Sequence, residues 1–198
     1  MNQSVNNMLL CGLVFVVMMI VIIFVQQQRK YQLQLLIRQA KKRNGIVKGG
    51  FFSYYPQLNF SQEATEISIH IKPGGESSRP QTILEAIFPS ESNRRIHIFP
   101  KSIVYQAWKV LGLQDIQLND PNFDQVFALQ TNVSDFAHNL FSPEIRNKLL
   151  SCKSFQIDIL LEKKRMKFIA YRNFLDDESY DLFIETGLLI LRRLKELG

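Results

Sequence analysis

The chain has 198 residues, a net charge of +6, 46% hydrophobic residues and 15 phenylalanines. That length fits one domain, and that apolar content excludes an intrinsically disordered chain. Divided by region, the charge also argues against a nucleic-acid partner: residues 26–50 hold seven Lys/Arg and no acid, whereas residues 51–198 hold 17 basic and 18 acidic side chains. A phosphate backbone needs its excess positive charge on the folded part, which here is nearly neutral.

The first predicted element is residues 8–25, eighteen positions without one charged or strongly polar side chain. As a helix they cover about 27 Å, close to the hydrocarbon thickness of a bilayer, and lipid leaves the backbone no other way to satisfy its hydrogen bonds. A cleaved signal peptide wants a positive start and a small-residue cleavage site. Here uncharged Asn, Gln and Ser precede the run and Gln26-Gln27-Gln28 follow it, so it reads as a retained signal-anchor. Six cations follow it within about twenty positions: Arg29, Lys30, Arg38, Lys41, Lys42 and Arg43. By the positive-inside rule they place the N-terminus outside and the C-terminal domain in the cytoplasm. The same six are the predicted membrane-surface residues, with the lipid bilayer as partner, since near-surface cations favour anionic headgroups.

Residues 26–48 read as a basic juxtamembrane helix and linker. No Gly or Pro interrupts residues 26–43, Leu33, Leu36, Ile37 and Ala40 recur at helical spacing, and Asn44-Gly45 stops the run. Gly49-Gly50 then opens the soluble domain, residues 49–198, and the aromatic cluster Phe51, Phe52, Tyr54, Tyr55 and Phe60 reads as a strand entering a core.

Residues 66–72 alternate strictly, with Ile67, Ile69 and Ile71 on one face and Ser68 and His70 on the other, which predicts a half-buried strand before the Pro73-Gly74-Gly75 turn. Residues 82–88 and 94–99 read as two short strands bounded by Pro80, Pro89 and Pro100, and residues 101–111 as a short helix around Trp108. Phe123, Phe127 and Leu129 suggest a strand after the Asn119-Asp120-Pro121 turn. Ser142-Pro143-Glu144 is a helix start: a side-chain cap, proline at the first helical position and an acid in the first turn. Residues 155–161 and 166–171 read as a β-hairpin turning at 162–165. A final helix carries Leu182, Thr186, Leu189, Ile190, Leu194 and Leu197 as its stripe, with Asp176, Asp177, Glu178 and Asp181 at its start and Arg192, Arg193 and Lys195 near its end, matching the helix dipole. Strands mixed with two or three helices, without β-α alternation, give an α+β class: a single transmembrane helix with a helical extension, then one mainly antiparallel domain.

Chemistry is sparsely signalled. His70 and His97 would be neighbours if their strands paired, but no third ligand is placed by spacing, and His138 lies apart, so no metal is expected. The acid cluster lacks the glycine-centred turn of a calcium loop. Cys11 and Cys152 form no disulfide framework or redox motif. No nucleophile motif or dinucleotide fingerprint appears, so no catalytic residue and no cofactor is nominated.

One stretch is familiar. Residues 112–127, containing Asp120, Phe123, Asp124 and Phe127, are followed by Asp135, Ala137 and the run Leu140-Phe-Ser-Pro143-Glu-Ile-Arg-Asn-Lys-Leu149-Leu150. It resembles a group of bacterial membrane-anchored proteins of unknown function, in whose pattern glycine often stands where this chain has Asn119. The resemblance implies a bacterial origin and a membrane-tethered α+β domain, and it transfers no activity. The leading expectation is a non-enzymatic interaction or accessory domain with a protein partner. The alternatives are a lipid or small-ligand sensor using a pocket among the Phe side chains, and a membrane-surface enzyme.

Overall fold

A computed structural model of the chain describes residues 2–49, 56–75, 78–101 and 113–198. The first element, α1, runs unbroken through Asn2–Lys42. Its large apolar side chains from Leu13 to Val25 are 41 to 64% exposed all round, which no core helix shows. Asn44 at φ 51° ends it in the left-handed conformation that asparagine tolerates.

Among the described residues, seven strands follow in one antiparallel sheet: β1 (Ile46–Lys48), β2 (Gln57–Gln62), β3 (Thr65–Lys72), β4 (Gln81–Pro100), β5 (Gln114–Ile116), β6 (Phe127–Thr131) and β7 (Ile157–Ala170). The helices between and after them are α2 (Pro121–Val126), α3 (Ser134–Leu140), α4 (Pro143–Ser151) and α5 (Asp177–Glu196). The α+β class holds, with four helices among the described residues of the domain where two or three were expected. The expected strand at Phe51, Phe52, Tyr54 and Tyr55 and the expected helix around Trp108 lie outside the described residues; Phe60 lies buried on β2.

The sheet is interlaced. The Tyr171 amide donates to the Phe155 carbonyl at 3.0 Å. Sixteen residues of straight strand would span roughly 50 Å, so β7 doubles back on itself as the expected hairpin. Lys163 sits near its tip at φ 52°. Residues 82–87 of β4 pair with residues 165–170, and residues 96–98 with residues 159–161. The two halves of β4 therefore flank the hairpin, with residues 88–95 passing around its tip. The strand order is β1, β2, β3, first half of β4, second half of β7, first half of β7, second half of β4, β6, β5. Pro89 falls in the register shift between Ile87 and Ser92, where a missing N–H costs the ladder nothing.

Three local expectations change. Phe123 is helical, because the Asp120 carboxylate accepts from its amide at 3.2 Å and Pro121 opens α2, so the strand begins only at Phe127. Asn119, where the resembled pattern has glycine, takes φ 57°, the conformation glycine favours. The buried face of α5 is Tyr180, Phe183, Ile184, Thr186, Gly187, Ile190 and Leu191, while Leu182, Leu189, Leu194 and Leu197 of the expected stripe are only partly buried. On α1 the buried positions are Gln32, Leu35, Leu36, Gln39 and Ala40, and Ile37 is exposed.

Helices α1 and α5 cover one face of the sheet: the Cβ position of Gly187 lies 3.0 Å from Leu84 and 3.3 Å from Phe168. Phe168 stacks on Phe183, and Phe174 packs against Phe155, Tyr180 and Phe183. These four phenylalanines and Tyr180 thus pack closely against one another. Packing also begins before the Gly49-Gly50 boundary, since Leu35, Leu36 and Ala40 belong to the same core and β1 pairs with β2.

Candidate functional site at the anchor junction

Two charged features that are far apart in sequence meet here. Arg38 and Lys42 stand four residues apart on α1, and Asp177 and Asp181 stand four apart on α5, so each pair shares one helix face. Arg38 Nε donates to Asp177 Oδ2 at 2.7 Å, Lys42 Nζ to Asp181 Oδ2 at 2.6 Å and Arg43 Nη2 to Asp181 Oδ1 at 2.9 Å. Gln39, fully buried, donates to Asp177 Oδ1 at 2.8 Å and accepts from Arg43. Partial burial raises the Asp177 carboxyl, but hydrogen bonds from Arg38 and Gln39 and the nearby positive charges outweigh it and hold the group below its ordinary value. Asp181 behaves alike, burial being outweighed by Lys42 and Arg43.

About two turns nearer the span, the Tyr31 hydroxyl donates to the Leu175 carbonyl at 2.7 Å and Gln32 Nε2 to the Phe174 carbonyl at 2.8 Å. The Asp176 side chain caps α5 by accepting from the Ser179 amide at 2.6 Å. The helix leaving the apolar run is therefore bolted to the domain by packing, buried amides and ion pairs.

Of the six cations singled out in the sequence, Arg38, Lys42 and Arg43 join this junction, while Lys30 and Lys41 are exposed and Arg29 lies on the turn before Tyr31. The matching four-residue spacings of opposite sign were the signal for the latch. The two buried glutamines gave none, because the acceptors of their amide groups, the Phe174 carbonyl and the Asp177 carboxylate, are more than 130 positions away.

The histidines do not converge. His70 pairs in register with Ile83 on the first half of β4, whereas His97 is on the second half, four strands away, on the order of 19 Å. This corrects the expected neighbourhood. No group of three potential metal ligands gathers among the described residues. His97 is also buried: its Nε2 lies 3.0 Å from Asp158 Oδ1, and Asp158 Oδ2 accepts from the Tyr171 hydroxyl at 3.0 Å. Burial, and the charge and hydrogen bond of Asp158, push the Tyr171 phenol well above its usual range.

At the other end of α5, a cleft of about 580 Å³ opens between the β2–β3 turn, the bend of β4 and the last turn of the helix. Phe88, Phe136, Leu161 and Leu194 form its apolar part. Arg94 lies 4.2 Å over the Phe136 ring and donates to the Leu197 carbonyl at 3.1 Å.

No family model matches the chain, and no curated protein does. Among solved structures, the crystal structure of the mycobacterial trehalose monomycolate transport factor A, TtfA, is similar in fold, with a TM-score of 0.58 over 81% of this chain and 93% of that one, at 9% identity. At that identity the likeness establishes the fold alone.

Proposed function

We propose that the chain is a single-pass membrane protein whose domain, held at the cytoplasmic face, serves as a non-enzymatic accessory module for a protein partner in the same membrane. The observation that carries this is the junction. A helix apolar enough to span continues without a break into the domain core, and three ion pairs fix it there. A rigid mount limits the domain to one height and attitude, which has a use when the partner is fixed in the bilayer too. A fold shared with a protein described as a transport factor supports an accessory role.

Lipid contact by the basic flank narrows under this geometry. Arg29 and Lys30 stand about 6 and 8 Å beyond Val25 along the helix, within headgroup reach, whereas residues 38–43 stand about 20 to 27 Å beyond it. The lipid-facing pair is therefore Arg29 and Lys30.

The test is cross-linking in native membranes followed by detergent capture of the full chain. Recovery of a specific integral membrane protein is the expected result, with a marked loss when three glycines are inserted between Gln27 and Gln28. Recovery of monomer alone argues against the reading. The cleft at the far end of α5 favours a second one, a ligand sensor, since its volume lies in the range of small-molecule sites. A thermal-shift screen of amphipathic ligands, compared between the wild type and Leu194→Trp, decides that.

A further inference from the structure

The loop joining β7 to α5, residues 171–176, is held against α1 at a definite height. Tyr31 lies six residues past Val25, about 9 Å along the helix axis, and side chains on a helix lean back toward its N-terminus. The Tyr31 hydroxyl, and the Leu175 carbonyl that it holds at 2.7 Å, therefore sit lower, roughly 5 Å past the end of the apolar run. The headgroup layer occupies about 5 to 8 Å on each side of the hydrocarbon.

At that height the loop presents an unexpected side chain. Leu175 is 53% exposed although its neighbour Phe174 is fully buried, so the leucine projects from a well-packed base. Tyr31, an aromatic suited to the interface, is 42% exposed beside it. The charges agree with an anionic surface below. Arg29 and Lys30 are on the adjacent turn, and the Arg172 guanidinium lies over the Phe155 and Phe174 rings. Of the acids that follow the loop tip, Asp176 turns up α5 to cap Ser179, Asp177 is paired with Arg38, and Glu178 is exposed further along the helix.

We propose that the loop tip at Leu175 is a second membrane contact, seated in the headgroup layer of the bilayer that α1 spans. With the helix as one point and the loop as another, the domain can neither swing away from the lipid nor rotate about the anchor. The proposal rests on α1 being a membrane span.

Full-length protein in nanodiscs of phosphatidylcholine and phosphatidylglycerol, carrying a fluorescent amino acid at one of three positions, tests it. The positions are those of Val17 in the span, Leu175, and Arg192 on the exposed side of α5. Nitroxide lipids labelled at mid-chain should quench position 17, and lipids labelled at the headgroup should quench position 175 by about half while leaving position 192 nearly unchanged. Equal quenching at 175 and 192, with position 17 still quenched, overturns the proposal and leaves the span intact. No quenching at position 17 removes the span, and the proposal with it. As a check on the label's own affinity for lipid, Leu175→Asp in unlabelled protein should speed hydrogen exchange of residues 172–176 in nanodiscs, and an unchanged rate counts against lipid contact.

Discussion

Arg43 and Asp181 lie 138 positions apart in the chain and meet at 2.9 Å, Nη2 to Oδ1. With Lys42 on the other carboxylate oxygen, the pair closes the chain from the end of the anchor helix to the first turns of the last helix. The junction is thus a long-range contact, made only when the whole domain has folded.

Its pH dependence follows from the two carboxylates. Both are held below their ordinary value in the folded protein, so the unfolded chain binds protons first as the pH falls, and stability declines with it. The contribution is fully present above the unfolded value of about 4 and is lost as the pH drops through the lower folded values. Thermal unfolding in micelles should therefore show a junction contribution that is flat from pH 8 to pH 5 and fades below about pH 4. The double substitution Asp177→Asn, Asp181→Asn should cost about 1 to 2 kcal/mol at neutral pH, because partly exposed pairs contribute little each. It should also remove most of the salt sensitivity of this contribution.

Gly187 marks where α5 comes closest to the sheet. Its missing Cβ would meet Leu84 at 3.0 Å and Phe168 at 3.3 Å. Gly187→Ala gains up to about 1 kcal/mol of helix propensity and must move two packed side chains, so the change should be nearly neutral. Gly187→Val adds bulk that cannot be accommodated by a small shift and should cost about 1 to 3 kcal/mol in chemical denaturation. A neutral valine would mean that the helix sits farther from the sheet.

Local chemistry was legible in the sequence wherever the deciding partner is close. The alternation of Ile67, Ile69 and Ile71, the Ser142-Pro143 helix start, the stop at Asn44 and the hairpin of residues 155–171 all depend on neighbours within a few positions. Long-range partners were not legible. An apolar-only reading of α1 selected Leu33 and Ile37, whereas the buried face includes Gln32 and Gln39, whose partners Phe174 and Asp177 are more than 130 residues away. Likewise the pairing of Thr82 with Ala170, which places the two halves of β4 around the β7 hairpin, leaves no mark on either segment alone. Asp120-Pro121 is a helix start by the same rule as Ser142-Pro143, and it overrides the strand-like apolar spacing of Phe123 and Phe127.

Asp158 joins His97 and Tyr171 on the sheet face opposite α5. Removing the phenol hydroxyl by Tyr171→Phe gives up one hydrogen bond to a carboxylate, about 1.5 to 3 kcal/mol at most. Asp158→Ala should cost at least as much, because it strands the partners of both oxygens. The two effects should be less than additive by roughly 1 kcal/mol in a double-mutant cycle read by denaturation. Full additivity would place the hydroxyl on another acceptor. Spectrophotometric titration of the wild type should show two tyrosines, Tyr171 and Tyr180, ionising far above the others; in Asp158→Ala the Tyr171 delay should shrink, because burial remains but the carboxylate charge and bond are gone, while that of Tyr180 should stay.

Cys152 sits at the end of α4 with no exposed surface, its sulfur 3.5 Å from the Thr186 hydroxyl. Burial raises its thiol, an effect only partly offset by Thr186 and by the charge of Lys148. Since the thiolate is the reactive form, this cysteine should resist alkylation in the folded protein at pH 8 and react promptly once denatured, as read by peptide mass mapping. Cys152→Ser places a hydroxyl among apolar neighbours while keeping one possible partner in Thr186. It should cost about 1 to 2 kcal/mol, whereas Cys152→Ala, which buries no new polar group, should cost less. Fast alkylation of the native protein would instead mean that the α4–α5 contact opens readily, against the full burial of Cys152 in the shared core.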